Sequence, residues 1–237
     1  AEVPSQERIA ELTKLVYDNA HKLEHVYMAG GEPLLMKENL ELLDILFEKN
    51  PNVNIRINTN LSKTGTRVFE KICKFKNVHW TISVDEMEQE FEYIRYGGVW
   101  QDFLDNLTVI MELNHKISFN MLYHILNYKS LFETINFFRF LGFHNNSFII
   151  GVLERPDYLN IRHLPDNVLQ LVKDNIKEWL DEKPGYLLED GLQNVLQYIN
   201  EPIEKNLDNT LKRIKEMDTR RNIDSTQVFT EFYKDIN

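Results

Sequence analysis

Residues 28–33 read Met28-Ala29-Gly30-Gly31-Glu32-Pro33 and close a short β-prone run that begins at His25. A strand that stops on two glycines, an acid and a proline is suited to bringing bare backbone against a ligand. Glycine lacks a Cβ and reaches positive φ without strain, so its N–H and C=O groups can touch a small polar molecule. Glu32 sets a carboxylate beside them, and Pro33 has no N–H with which to extend a ladder. Gly-Gly alone is also compatible with an ordinary tight turn. The runs that follow decide between the two.

Further β-rich runs occupy residues 53–58, 78–84, 117–122 and 147–153. Helical stretches separate them: Met36, Leu40, Leu43 and Phe47 share one helix face, as do Phe103, Leu107, Ile110 and Met111, and Leu131, Ile135 and Phe138. Residues 5–23 predict another helix, started by Pro4 and Ser5, with Ile9, Leu12, Leu15 and Val16 on its buried side. Strands alternating with helices predict a parallel sheet, open and doubly wound or TIM-like. The expected fold class is α/β, a partial TIM-like (βα) barrel of parallel strands over residues 1–163. From residue 164 the β rhythm stops. Helices expected at 166–181, 189–200 and 206–219 make residues 164–237 a C-terminal helical appendage.

In parallel α/β folds ligands gather at the carboxyl ends of the strands. Here those ends are Gly30-Gly31-Glu32, Asn58-Thr59-Asn60, Ser83-Val84-Asp85-Glu86, Asn120 with Tyr123-His124, and Glu154-Arg155. One such end is usually a helix N-cap. Five on one rim predict a site for a polar ligand.

Composition bounds the partners. The 237 residues suit one large domain or a domain with an appendage, and 43% hydrophobic content is ample for a core. A net charge of −10 argues against nucleic acid held by bulk electrostatics. No apolar run approaches the roughly 20 residues that span a bilayer, so no membrane partner is expected. Cys73 is the only cysteine, which favours a reducing, cytoplasmic setting. The chain opens on Ala1, in what reads as a helix already under way.

A strand ending in Gly-Gly-Glu-Pro, a second in Asn-Thr-Asn and a third in Ile-Ser-Val-Asp resemble the radical S-adenosylmethionine superfamily. The stretch Tyr93-Ile94-Arg95-Tyr96-Gly97-Gly98-Val99-Trp100, the run 156–165 and the end from Met217 to Phe229 are similar to its twitch-type, auxiliary-cluster subgroup. The resemblance implies S-adenosylmethionine as cofactor. A 4Fe–4S cluster would reductively cleave it to a 5′-deoxyadenosyl radical, which abstracts hydrogen from substrate. It implies that Gly30, Gly31 and Glu32, followed by Pro33, receive the methionyl ammonium, and that Asn60, Ser83 and Asp85 lie near the ribose and amino-acid portions. Arg95 would pair with the cofactor carboxylate, and Asn120 would face cofactor or substrate. Each has a plainer role open to it: Ser83 and Asp85 as helix caps, Arg95 as a surface ion pair, Asn120 as a structural amide. The implied partners are the small-molecule cofactor, a peptide or protein substrate, and a reductant protein for the complete enzyme.

The pattern breaks at the metal. Such clusters need three thiolates, here expected as Cys-x3-Cys-x2-Cys, and this sequence has one cysteine, inside a helical stretch. The expectation is therefore no metal ligand in this chain, a cluster segment outside it, and no S-adenosylmethionine cleavage by this chain alone. Two other readings stay open: a non-catalytic barrel that binds a ligand or partner, and a metal-independent hydrolase or lyase. His124 stands at a strand end as a rim residue, the acidic run 86–92 reads as a solvated surface, and the catalytic residues stay unassigned.

Overall fold

The computed structural model of the chain describes residues 6–236. Its elements are α1 (Gln6–Asn19), β1 (His25–Met28), α2 (Glu38–Lys49), β2 (Asn54–Thr59), α3 (Arg67–Ile72), β3 (Val78–Ser83), α4 (Glu88–Ile94), α5 (Trp100–Met111), β4 (Lys116–Tyr123), α6 (Leu131–Phe140), β5 (Phe148–Val152), α7 (Asp166–Asp181), α8 (Tyr186–Asn200), α9 (Leu207–Arg221), α10 (Ser225–Val228) and α11 (Thr230–Asp235). The strands follow the order β1-β2-β3-β4-β5 in one five-stranded parallel sheet. With β1 at an edge, this is an open, partial (βα) barrel carrying C-terminal helices. Among the described residues no helix is long and apolar enough to cross a membrane.

The chain divides into two compact units, residues 1–83 with 101–118, and 84–100 with 119–237. In the first, β1, β2 and β3 pair in parallel, with Tyr27 opposite Arg56 and Arg56 opposite His79. Side chains alternate across a strand. Val26, Met28, Ile55, Ile57, Val78, Trp80 and Ile82 therefore share one face, and Trp80 meets Phe69 of α3 with ring centroids 5.6 Å apart. His25, Tyr27, Asn54, Arg56, Asn58, His79, Thr81 and Ser83 share the other. That second face is polar along its length, unlike the branched apolar filling of a closed TIM barrel.

The second unit pairs β4 with β5, Phe119 opposite Phe148. Phe119 stacks on Phe138 of α6 at 4.2 Å and meets Phe143 edge-on at 4.7 Å, giving a continuous aromatic core. Gly191 lets α8 lie on β5, since a Cβ there would come within 2.8 Å of the Ile150 carbonyl oxygen.

Several local expectations change. Leu12 and Leu15 are exposed, at 49% and 60%, whereas Ile9, Thr13 and Val16 are half-buried. The less exposed stripe of α1, which packs on α2, runs through Ile9, Thr13 and Val16 toward the buried Ala20 just beyond the helix, rather than through the leucines. The helix start expected at Pro4 and Ser5 lies outside the described residues. α8 begins at Tyr186, earlier than the expected 189, and α10 and α11 follow where no helix was expected.

Candidate functional site

In the first unit the end of β1 turns through Gly30 at φ 91° and Gly31 at φ 54°. A Cβ built on either glycine meets no atom within 4 Å, so the open space lies over bare backbone. Neighbouring side chains do not require glycine here; the left-handed backbone does. Glu32 then caps a 3₁₀ turn, Pro33–Leu35, in which Pro33 is buried at the first position. Its Oε1 accepts from the Leu34 N–H at 3.2 Å and from the Thr59 hydroxyl at 2.6 Å, and its Oε2 accepts from the Asn60 N–H at 2.8 Å. Thr59 Oγ1 in turn accepts from the Leu61 N–H at 2.9 Å. Glu32 thus fastens the glycine turn to the end of β2. A carboxylate has about four acceptor positions, and three of those on Glu32 are taken.

Asn60 Oδ1 accepts from the Ser62 N–H at 2.9 Å and so shapes the turn after β2. Ser83 donates its hydroxyl to Asn58 Oδ1 at 3.1 Å across neighbouring strands. The structure thus joins Gly30, Gly31, Glu32, Pro33 and Asn60 through one hydrogen-bonded turn, while Ser83 bonds Asn58, the first residue of the Asn58-Thr59-Asn60 strand end.

In the second unit Asp85 is buried. Its Oδ1 accepts from the Leu122 N–H at 2.7 Å and its Oδ2 from the Arg95 guanidinium at 2.9 Å. Burial raises the Asp85 carboxyl, and Arg95 and the Leu122 N–H pull it back. Arg95 caps the C-terminus of α4, and its carbonyl accepts from the Gly98 N–H at 2.7 Å. Its Nε is buried with no partner among the described residues. Arg95 is half-buried and forms an ion pair with the buried Asp85. Asn120 is half-buried on β4, and its carbonyl accepts from the Val84 N–H at 3.1 Å.

Next to Asp85 the acidic run departs from expectation. Glu86 is 1% exposed, and neither of its carboxyl oxygens has a hydrogen-bond partner among the described residues. His124, equally buried, places Nε2 3.4 Å from Glu86 Oε1. The Leu126 N–H donates to His124 Nδ1 at 3.2 Å, which puts the ring proton on Nε2, facing Glu86. Burial, with Glu90 and Asp85 nearby, lifts Glu86 well above the usual carboxyl range. Burial and then Arg95 hold His124 down to about 3. Burial thus favours the uncharged form of both groups, and Nε2, like the two carboxyl oxygens, has no hydrogen-bond partner among the described residues. His124 is a core residue rather than a rim one, and the run from Glu86 is not uniformly solvated.

Among the described residues no group of three or more His, Cys, Asp or Glu side chains could hold a metal ion. Cys73 is half-buried, and burial pushes its thiol up to about 11, so it stays protonated at neutral pH. The residues present do not fit a 4Fe–4S cluster. The Gly30-Gly31 turn leaves exposed backbone with open space over it.

Comparison with known proteins places this geometry in context. The model of the radical SAM superfamily matches residues 1–138, more than half of the chain. No curated protein matches. Among solved structures, Streptococcus suis SuiB bound to precursor peptide SuiA is similar at TM-score 0.56 and 16% identity, covering 78% of this chain and 42% of that one. SuiB bound to S-adenosylmethionine gives TM-score 0.55 and 16% identity, over 77% of this chain and 43% of that one. The chain thus spans less than half the length of these neighbours, and at such identity the likeness concerns the fold. The sheet order, the glycine turn that ends β1 and the family match agree, and the chain belongs to the radical SAM superfamily.

Proposed function

We propose that this chain is the catalytic-barrel portion of a radical S-adenosylmethionine enzyme of the twitch-type subgroup, acting on a peptide or protein substrate. The barrel is taken to span residues 1–163 and the helical extension 164–237. The observation that carries the reading is the Gly30-Gly31 turn, open above its backbone and pinned by Glu32 to Thr59 and Asn60. S-adenosylmethionine would meet the backbone of Gly30, Gly31 and Glu32, where main-chain carbonyls accept the ammonium and the remaining lone pair of Glu32 adds a charge-assisted contact. Pro33 holds the turn. Asn60, Ser83 and Asp85 serve the ribose and amino-acid portions, Arg95 the carboxylate, and Asn120 the cofactor or substrate. When bound and reduced, S-adenosylmethionine supplies a 5′-deoxyadenosyl radical for hydrogen abstraction. This chain's part is to bind and orient it. The cluster and a reductant protein would serve the complete enzyme, since the described residues offer no set of ligands for the cluster. The peptide reading is supported by a fold neighbour that was solved with its precursor peptide.

The alternative reading is a barrel that binds a ligand or partner without radical chemistry. Calorimetric titration with S-adenosylmethionine, together with assay of 5′-deoxyadenosine in the complete protein under anaerobic reduction, separates the two. Cofactor binding with product formation supports the enzyme. Cofactor binding without product supports the binding module, and absence of cofactor binding removes the proposed pocket.

A further inference from the structure

The amino ends of β1, β2 and β3, with the start of β4, surround a cavity of about 740 Å³ within the first unit. It lies at the opposite end of these strands from the glycine turn. Arg56 and Asn60 are separated along β2 by roughly 13 Å, at about 3.3 Å per residue. Arg56, Lys76 and Lys116 line it together with His25, His79 and His115, and no aspartate or glutamate is among its lining residues. In a chain of net charge −10 that is a local reversal of sign. Among the described residues none of the three cations takes part in an ion pair.

Two of these groups are held in place from beneath. Arg56 donates through Nε to the Thr81 hydroxyl at 3.0 Å, and Thr81 is only 4% exposed. Among the described residues the two terminal nitrogens of the guanidinium take no hydrogen bond, which leaves free the fork that suits an oxyanion. Tyr27, 62% exposed, lies beside it with its ring centroid 5.8 Å away. His79 Nε2 hydrogen-bonds the hydroxyl of Ser118, which is 2% exposed, at 2.7 Å. A freely solvated face does not need its arginine and histidine tied down by buried hydroxyls. The positive surroundings are also felt by His79, which burial and then Lys116 and Arg56 hold down to about 4. His115 is already committed, accepting from the Trp80 indole at 3.1 Å through Nδ1 and directing Nε2 to the Phe75 carbonyl at 3.2 Å.

We infer that this cavity is a second binding site, taking a carboxylate or phosphate group carried by a larger ligand. Arg56 is the forked donor, Lys76 and Lys116 supply charge, and the His79 ring, held by Ser118, forms part of the wall. The volume falls within the roughly 300–1,000 Å³ of small-molecule sites, so the anion fills only part of it. The inference does not depend on the radical reading, because it rests on charge and clamping at the other end of the strands.

The test is an NMR titration of the chain at low ionic strength with inorganic phosphate, with N-acetyl-glutamate amide and with the uncharged N-acetyl-glutamine amide. Saturable shifts at the His79 ring and the Arg56 side chain are expected with the two anions and not with the glutamine compound. Tighter binding of phosphate identifies a phosphate-bearing ligand; tighter binding of the glutamate compound identifies an acidic side chain. Arg56→Gln, and independently Lys116→Gln, should each weaken binding about tenfold; Lys116→Gln should leave the melting temperature unchanged, since that side chain is exposed, whereas Arg56→Gln should lower it modestly by removing the bond to the buried Thr81 hydroxyl. No saturation by either anion, equal shifts with the glutamine compound, or unaltered affinity in both folded variants overturns the inference.

Discussion

Tyr93 and Asp218, 125 positions apart in the chain, meet side chain to side chain, the phenol donating to Asp218 Oδ1 at 2.8 Å. Asp218 Oδ2 accepts from the hydroxyl of Ser225 at 2.6 Å, and the Arg221 guanidinium donates to the Tyr93 carbonyl at 2.8 Å. Within the second unit, α4 is therefore held by α9 and α10 two residues before Arg95. Tyr93→Phe removes the donor and leaves a carboxylate short of a partner. The expected loss is about 1–3 kcal/mol in urea unfolding, with faster hydrogen exchange across α4. Unchanged exchange in α4 would show that the C-terminal helices do not position it.

Gly31→Val tests the cofactor turn. At φ 54° a β-branched residue is strained by about 1–2 kcal/mol, while no protein atom obstructs its side chain. The barrel should therefore fold with a modestly lowered melting temperature. Affinity for S-adenosylmethionine should fall more than about tenfold in calorimetry, because the branched side chain occupies the space over the backbone. Wild-type affinity in the folded variant would remove this turn from the site.

The pair formed by Glu86 and His124 sets a pH dependence with two opposing parts. Glu86 is raised in the folded chain from an unfolded value of 4.5, so the stability it contributes is present below that value and is lost as pH climbs toward its folded pKa. His124 is lowered from 6.5 to about 3, so its contribution is present above 6.5 and is lost as pH falls toward 3. Glu86→Gln removes only the first. Urea titrations from pH 5 to pH 8 should show the wild type losing ground steadily to the glutamine variant. A constant difference between the two would mean that Glu86 is ionised when folded.

The chain by itself should take up no stoichiometric iron–sulfur cluster. Anaerobic incubation with iron and sulfide, followed by iron analysis and visible absorbance, should give values unaffected by Cys73→Ala, and no 5′-deoxyadenosine should form under reductant. One thiol pushed up to about 11 offers neither the number nor the ionisation state that such a cluster requires. Full loading of four irons per chain would mean that unrecognised ligands exist.

The alternation of strands and helices was legible because each strand closes on residues that cannot continue it, such as Gly30-Gly31 or Asn60. The glycine turn and Asp85 could be nominated for the same reason, whereas Arg95 was reached only through the family resemblance. Glu86 could not. Its neighbours Glu88 and Gln89 are exposed, and its burial depends on His124, which lies beyond two intervening helices in the chain. The strapping of Glu32 to Thr59 and Asn60 was equally hidden, since a motif read along the chain does not show which lone pairs a neighbouring strand will take. The leucines of α1 misled for a simpler reason. Apolar spacing admits more than one stripe, and packing on α2 selected the stripe through Ile9 and Val16.

The polar face of β1 to β3 also bears on how the chain finds its fold. Arg56 to Thr81, Ser83 to Asn58 and His79 to Ser118 each tie a strand to its neighbour through side chains. A one-residue slip of β2 would turn Arg56 and Asn58 toward the helices and Ile55 and Ile57 toward water. A desolvated guanidinium without a counter-charge is among the costliest errors a sheet can contain. The polar groups of this face therefore also reject misaligned strands, so replacing them with apolar residues should blur strand alignment during refolding even where the native state gains stability.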